Sequence, residues 1–200
     1  MEKQIQILES FAIAIPTQKI CVRIGYRTSS DRINPSVIEL IEEAKTRSEE
    51  LLNPRAIFRI LDYSETNRHP IFTHAKKVAL CICTIGPQIE SESAKLMRSD
   101  ELIKALILDA IGSESVEQVA RQTDKILCEK ALDMDLWPSK RFSPGYKLWN
   151  IEEQRYIFRM IPGENIGVTL NESCMMIPRK SVSFRINFYK TKELSTRSFR

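Results

Sequence analysis

The sequence is poor in histidine. Only His69 and His74 occur among its 200 residues, which leaves little for a histidine metal site or a Ser-His-Asp triad. Both stand in a polar stretch and read as surface residues. No G-x-G-x-x-G, P-loop or H-E-x-x-H is present, so the glycine-loop nucleotide folds and the zincin helix are excluded. Long apolar runs are missing too. Phe11–Ile15 and Val78–Ile85 are far short of the roughly 20 residues that span a bilayer. The opening MEKQIQILES mixes charges and lacks the apolar core of a signal peptide. No membrane association is expected, and the expected location is cytoplasmic.

Cysteine is sparse and unpaired. The five, Cys21, Cys81, Cys83, Cys128 and Cys174, read as free thiols. Cys81 and Cys83 point to one face of an apolar strand. With no second pair at ligand spacing, they read as core thiols and no metal site is expected. The net charge is +4, with acids and bases interleaved, so no nucleic-acid partner is expected. The basic excess gathers in Arg179–Arg200 and reads as a solvated end.

What is present is an ordinary globular composition, 42% hydrophobic and 28% charged, enough for a core. Ile5–Ile24 reads as extended, broken by Pro16. Asn34-Pro35 is a helix start, and Val37, Ile38, Ile41, Ala44 and Leu51 recur at near-helical spacing until Asn53-Pro54. Ala56–Tyr63 alternates as a strand, Ser64–His74 is loop-like, and Val78–Ile85 reads as a buried central strand. A long helical region follows over Gln88–Leu132, broken near Ser99-Asp100, where Asp100 is placed to cap the second part. Gly112 in its middle costs about 1 kcal/mol against alanine, which points to close packing, a kink or a ligand against the backbone.

Asp135–Leu148 reads as an ordered loop. Ile151–Ile161 reads as a short helix capped by Asn150, with Glu153 at the capping-box position. Ile166–Leu170, Cys174–Ile177 and Val182–Tyr189 read as strands. The last sets Ser181, Ser183, Arg185 and Asn187 on a wet face against an apolar one. Strands at both ends of a helical middle imply an α+β fold, a mostly antiparallel twisted sheet with a long central helical region. The chain divides into residues 1–83, residues 84–190 with the loop below, and a basic tail 191–200 expected to be disordered. One continuous domain is the expectation.

The most informative segment is Arg141-Phe142-Ser143-Pro144-Gly145-Tyr146. Pro144 fixes one dihedral and Gly145 permits positive φ, so the backbone can approach a ligand closely. Arg141 suits a carboxylate, and Tyr146 adds a ring and a hydroxyl. On the residues alone, an ordered structural loop with Arg141 paired to a core-edge acid and Tyr146 packed is the better reading. R-x-x-P-G-Y resembles the signature loop of the activation domain of cobalamin-dependent methionine synthase. Two more stretches resemble that family in order and spacing: Leu170-Asn171-Glu172-Ser173 running into Pro178 and Ser181-Val182-Ser183, and the helix segment Asp109–Glu117. The likeness spans roughly Thr84–Tyr189. Lys147-Leu148-Trp149 and Arg179-Lys180 depart from it.

The resemblance implies a site for S-adenosylmethionine. Arg141 would take the methionyl carboxylate, and Ser143 and Gly145 would offer backbone. Tyr146 would line the pocket near the sulfonium. Glu117 would be the helix acid, although it also fits an ion pair with Arg121 one turn on. Asp62 would be the acid nearer the N-terminus. No catalytic acid, base or nucleophile is implied. The implied task is reductive methylation of cob(II)alamin, as an activation-type methyltransferase component acting in trans. Cobalamin would sit only on the partner, a corrinoid-binding protein or truncated methionine synthase, because the loop D-x-H-x-x-G is absent. Flavodoxin or ferredoxin would supply the electron. The alternatives are a non-catalytic docking or regulatory module that has lost the ligand, and a small-molecule methyltransferase. Convergence of Arg141, Tyr146 and a carboxylate on one pocket separates the first alternative.

Overall fold

The computed structural model describes residues 5–27, 33–146 and 149–195. In chain order the elements begin with β1 (Gln6–Leu8), α1 (Thr17–Arg23), α2 (Pro35–Glu49), β2 (Arg55–Asp62) and β3 (Lys77–Thr84). They continue with α3 (Gln88–Arg98), α4 (Leu102–Leu132), β4 (Trp137–Pro138), α5 (Gln154–Met160), β5 (Thr169–Leu170), β6 (Met176–Ile177) and β7 (Ser181–Tyr189). The main sheet has the order β1-β2-β3-β7-β4, with every pairing antiparallel. β5 and β6 form a separate two-stranded ribbon. The fold is α+β around a long central helix. The sheet crosses the boundary at residue 83, because β2 pairs along the whole of β3.

Alternation along the central strands divides the interior in two. Ala79, Cys81 and Cys83 of β3 join Phe184, Ile186 and Phe188 of β7 under the helices, where Ile20, Ile41, Ile89 and Ile111 pack. Val78, Leu80 and Ile82 face the opposite way, against Phe72, Trp149, Tyr156 and Ile157. A strand covered on both faces needs the continuous apolar run that β3 has.

α2 starts where Asn34-Pro35 implies: the Asn34 side chain accepts the Ser36 N–H at 3.0 Å. Gly112 is a close-packing glycine. An added Cβ would lie 2.7 Å from Ile89 Cγ2 and 3.4 Å from Lys180 Cε.

Several local expectations change. Ile5–Ile24 is not extended throughout: Pro16 stands at the N-cap of α1, which buries Ile20 and Cys21. The extended part ahead of it is held by side chains. Gln118 of α4 bonds both backbone groups of Ala14, and Gln122 both backbone groups of Ala12, at 2.7–3.2 Å. Asp100 does not cap α4; it takes φ 62°, and Glu101 holds the cap position. Short polar side chains tolerate that region. Asn150 makes no side-chain cap, because the chain opens as a 3-10 turn at Ile151–Glu153. Glu153 reaches His69 Nε2 instead, at 3.2 Å. Ile166 belongs to a 3-10 turn, and Cys174 turns at φ 61° before the short β6. The tail forms a 3-10 turn at Lys192–Leu194, with residues 196–200 outside the described part.

The expected wet face of β7 is buried. Ser181, Ser183 and Asn187 are 7%, 3% and 2% exposed. The 141–146 segment and α5 lie over them, and each polar group is partnered as burial requires. Ser181 Oγ bonds Thr84 Oγ1 at 3.0 Å, Ser183 Oγ donates to Gln154 Oε1 at 3.1 Å, and Asn187 Nδ2 donates to Tyr189 Oη at 3.0 Å.

Candidate functional site

The loop after β4 is pinned at Phe142. Its N–H donates to Arg185 O at 3.0 Å, and its carbonyl accepts from Arg185 N–H at 2.9 Å. A turn follows, with Tyr146 N–H to Ser143 O at 3.4 Å. Pro144 and Gly145 occupy its two central positions, and Gly145 has φ 88°. These are the residues that a type II turn demands. Gly145 N–H donates to Trp149 O at 2.7 Å, which closes the loop on itself.

This loop, α4, α5, β6 and β7 enclose a cavity of about 400 Å³. Its lining includes Arg141, Ser143 and Tyr146 of the loop, Glu117 of α4, Gln154 of α5, Met176 of β6 and Ser183 of β7. Arg141 Nη2 donates to Glu117 Oε2 at 2.5 Å. Arg141 Nη1 is buried with no hydrogen-bond partner, and the guanidinium carbon lies 5.8 Å from the Phe184 ring centroid. Tyr146 is 67% exposed at the mouth. Arg121, the other partner considered for Glu117, pairs with Glu114 at 2.5 Å.

Four of the six residues named from the sequence therefore meet at one cavity: Arg141, Ser143, Tyr146 and Glu117. Gly145 shapes the turn between them. Asp62 does not join them. It pairs with Lys77 Nζ at 2.8 Å. The register explains why: Asp62 lies opposite Lys77 at one end of β3, and Ser181 opposite Thr84 at the other. At about 3.3 Å per residue, the two ends are about 23 Å apart.

Gln154 and Met176 were not anticipated. Gln154 is 5% exposed on the face of α5 that also carries Ile157. An amide on an otherwise apolar helical face is the signal that marks it. Cys81 and Cys83 stand with sulfurs 3.6 Å apart inside the core. Among the described residues, no group of three or more His, Cys, Asp or Glu side chains could hold a metal ion, and no helix is long and apolar enough to cross a membrane.

No protein-family model matches the sequence, and no curated protein matches it. Solved structures do. The crystal structure of the MetH reactivation domain bound to AdoHcy superposes with a TM-score of 0.65, covering 98% of this chain and 82% of that one at 13% identity. The chain has the reactivation-domain fold. At that identity the likeness concerns the fold alone, and the chemistry rests on the cavity.

The cavity lies beside the start of β7, where the polar strand face meets the loop, α5 and β6 of the small ribbon. That placement leaves one cationic and one anionic group facing an open space. Such a site can orient a zwitterion without any group that takes or gives a proton in the reaction.

Proposed function

We propose that the chain binds S-adenosylmethionine in the cavity lined by Arg141 and Glu117 and presents its methyl group to a corrinoid held by another protein. The observation that carries this reading is the Arg141 guanidinium. One nitrogen is bonded to Glu117, and the other is buried with no acceptor beside the Phe184 ring, so that a turn of the side chain toward the cavity it lines would bring that donor to a ligand. An unpaired buried donor is costly, and a ligand carboxylate satisfies it with a charge-assisted bond. Glu117 then serves the cationic part of the same ligand. The cavity volume lies in the range of small-molecule sites, and the AdoHcy-bound structure of the same fold supports an adenosyl ligand.

In this reading the protein positions and does not perform acid or base chemistry. One electron from a flavodoxin- or ferredoxin-type donor reduces cob(II)alamin to cob(I)alamin on the partner. The cobalt takes the methyl group from the sulfonium, and S-adenosylhomocysteine remains. Ser143 and Gly145 hold the ligand through backbone groups of the turn. Tyr146, exposed at the mouth, lies where the sulfonium must face outward. The partner is a corrinoid-binding protein or truncated methionine synthase, and the setting is the cytoplasm.

Calorimetric titration with S-adenosylmethionine tests the reading. Saturable binding that Arg141→Ala abolishes is the expected result. A wild-type protein that binds neither S-adenosylmethionine nor S-adenosylhomocysteine at millimolar ligand overturns binding by this chain alone and leaves the docking module or a site completed by the corrinoid protein.

A further inference from the structure

Arg185 sits on the buried face of β7, and among the described residues no carboxylate pairs with it. Its Nη1 donates to Asn187 Oδ1 at 2.8 Å, and its Nε is buried with no acceptor. Removing a guanidinium from water without an anion is unfavourable. Burial accordingly pulls its pKa below the usual arginine value, although arginine remains charged.

The counterpart of this charge is aromatic. The guanidinium carbon lies 5.3 Å from the ring centroids of both Phe142 and Trp149, and 5.7 Å from that of Phe72. Phe142 and Trp149 are stacked on each other, with centroids 6.1 Å apart and planes 11° from parallel. A planar, weakly hydrated cation can stack on such ring faces, and a compact, strongly hydrated ammonium cannot lie flat against two of them.

Phe142 and Trp149 are the two arms of the candidate loop. Arg185 also holds Phe142 through both backbone bonds of the bridge, and Trp149 O anchors Gly145 N–H. Arg185 itself does not line the cavity. We propose that Arg185 is a positioning residue: its guanidinium, packed against Phe142 and Trp149, sets the shape of the loop and thereby the aim of Arg141 and Tyr146. The part of this proposal that concerns ligand affinity rests on the binding reading above.

The experiment uses a Trp137→Phe background, which leaves Trp149 as the sole tryptophan of the two. Acrylamide quenching of Trp149, the S-adenosylhomocysteine Kd and the Tm are measured for Arg185→Met, Arg185→Lys and the distant core control Ile41→Val. Both Arg185 variants are expected to expose Trp149 to quenching and to weaken the ligand about tenfold or more, since small misplacements of a binding group have effects of that size. Lysine does not rescue, because charge without a planar stack is insufficient. Ile41→Val lowers Tm and moves neither readout. Folded Arg185→Met with Trp149 shielded as in wild type, or with ligand affinity unchanged, overturns the proposal. Where Arg185→Met does not fold, Arg185→Lys decides by the same two readouts. A background protein that binds no ligand refutes the binding reading, and the quenching result still decides the role of Arg185 in the loop.

Discussion

Arg141 Nη2 stands 2.5 Å from Glu117 Oε2 and ties the candidate loop to the middle of α4. The two side chains are 28% and 31% exposed. A pair this open contributes at most about 1 kcal/mol to stability. Its consequence is geometric: it joins the loop to α4 through one guanidinium nitrogen and leaves the other buried without a partner. It also leaves a carboxylate lining the cavity, which makes the site asymmetric in charge.

That asymmetry separates two ligands. S-adenosylmethionine carries a sulfonium charge that S-adenosylhomocysteine lacks. Glu117→Gln is expected to weaken the methylated ligand about tenfold, as removal of one countercharge a few ångströms away does in a partly screened site. The demethylated ligand is expected to change little. Calorimetry with both ligands at low salt checks this. An equal loss for both places Glu117 on the part that they share, and no loss removes it from the site.

Gly112 is expected to resist the usual gain from alanine. In an exposed helix the replacement stabilises by about 1 kcal/mol. Here the new methyl would meet Ile89 Cγ2 at 2.7 Å, and Ile89 is fully buried. A β-branched side chain in a closed core has little room to turn away. Overpacking typically costs about 1–3 kcal/mol, so Gly112→Ala is expected to lose the helical gain and to destabilise by up to about 2 kcal/mol net. Urea unfolding measures it. A stabilised variant would mean that α3 shifts freely against α4.

Legibility from sequence followed the range of the determining interaction. The start of α2 is set by adjacent residues, Asn34 and Pro35, and is visible locally. β3 declares itself through its apolar run, and the Ser143–Tyr146 turn through Pro144-Gly145. What failed was decided from a distance. Ser181, Ser183 and Asn187 look solvent-facing until a loop some forty residues earlier folds over them. Asp62 has the right charge, but strand register carries it to the wrong end of β3. α1 was hidden because Pro16 serves as both a strand breaker and a helix start. Glu117 came to the site only by resemblance, as an acid facing a ligand, and its pairing with Arg141 was not legible because Arg121 offers a good local partner.

The thiols offer a check on the core. Cys21, Cys81, Cys83 and Cys174 are at most 1% exposed, and Cys128 is half-buried. Burial pushes the Cys81 thiol well up, with the hydrogen bond and charge of Cys83 adding to it, and burial raises Cys21 too. The thiolate is the reactive form. Native protein is therefore expected to release one equivalent of thionitrobenzoate quickly from Ellman's reagent, and five in denaturant. A second fast thiol that maps to Cys81 or Cys83 would show that the layer between α4 and the sheet opens readily.

Glu114 supplies the pH dependence. It is 4% exposed on α4 and receives Lys19 at 2.9 Å, Arg23 at 3.2 Å and Arg121 at 2.5 Å. Burial alone would raise its pKa, but the hydrogen bonds from Lys19, Arg121 and Arg23 outweigh burial and hold it below the usual carboxylate value. A folded-state pKa below the unfolded one means that the unfolded chain takes up the proton first. The contribution is complete above the unfolded value, about 4.3 for glutamate, and is lost as pH falls through the lower folded value. Glu114→Gln is expected to cost about 1–3 kcal/mol at neutral pH, the size of a few charge-assisted bonds. Two of the three cations belong to α1, so that helix should loosen first. Urea midpoints of both proteins over a pH series decide the point. The gap should stay level through the neutral range and close on the acid side. A gap that persists undiminished in acid would assign the loss to packing of α1 and not to the charge of Glu114.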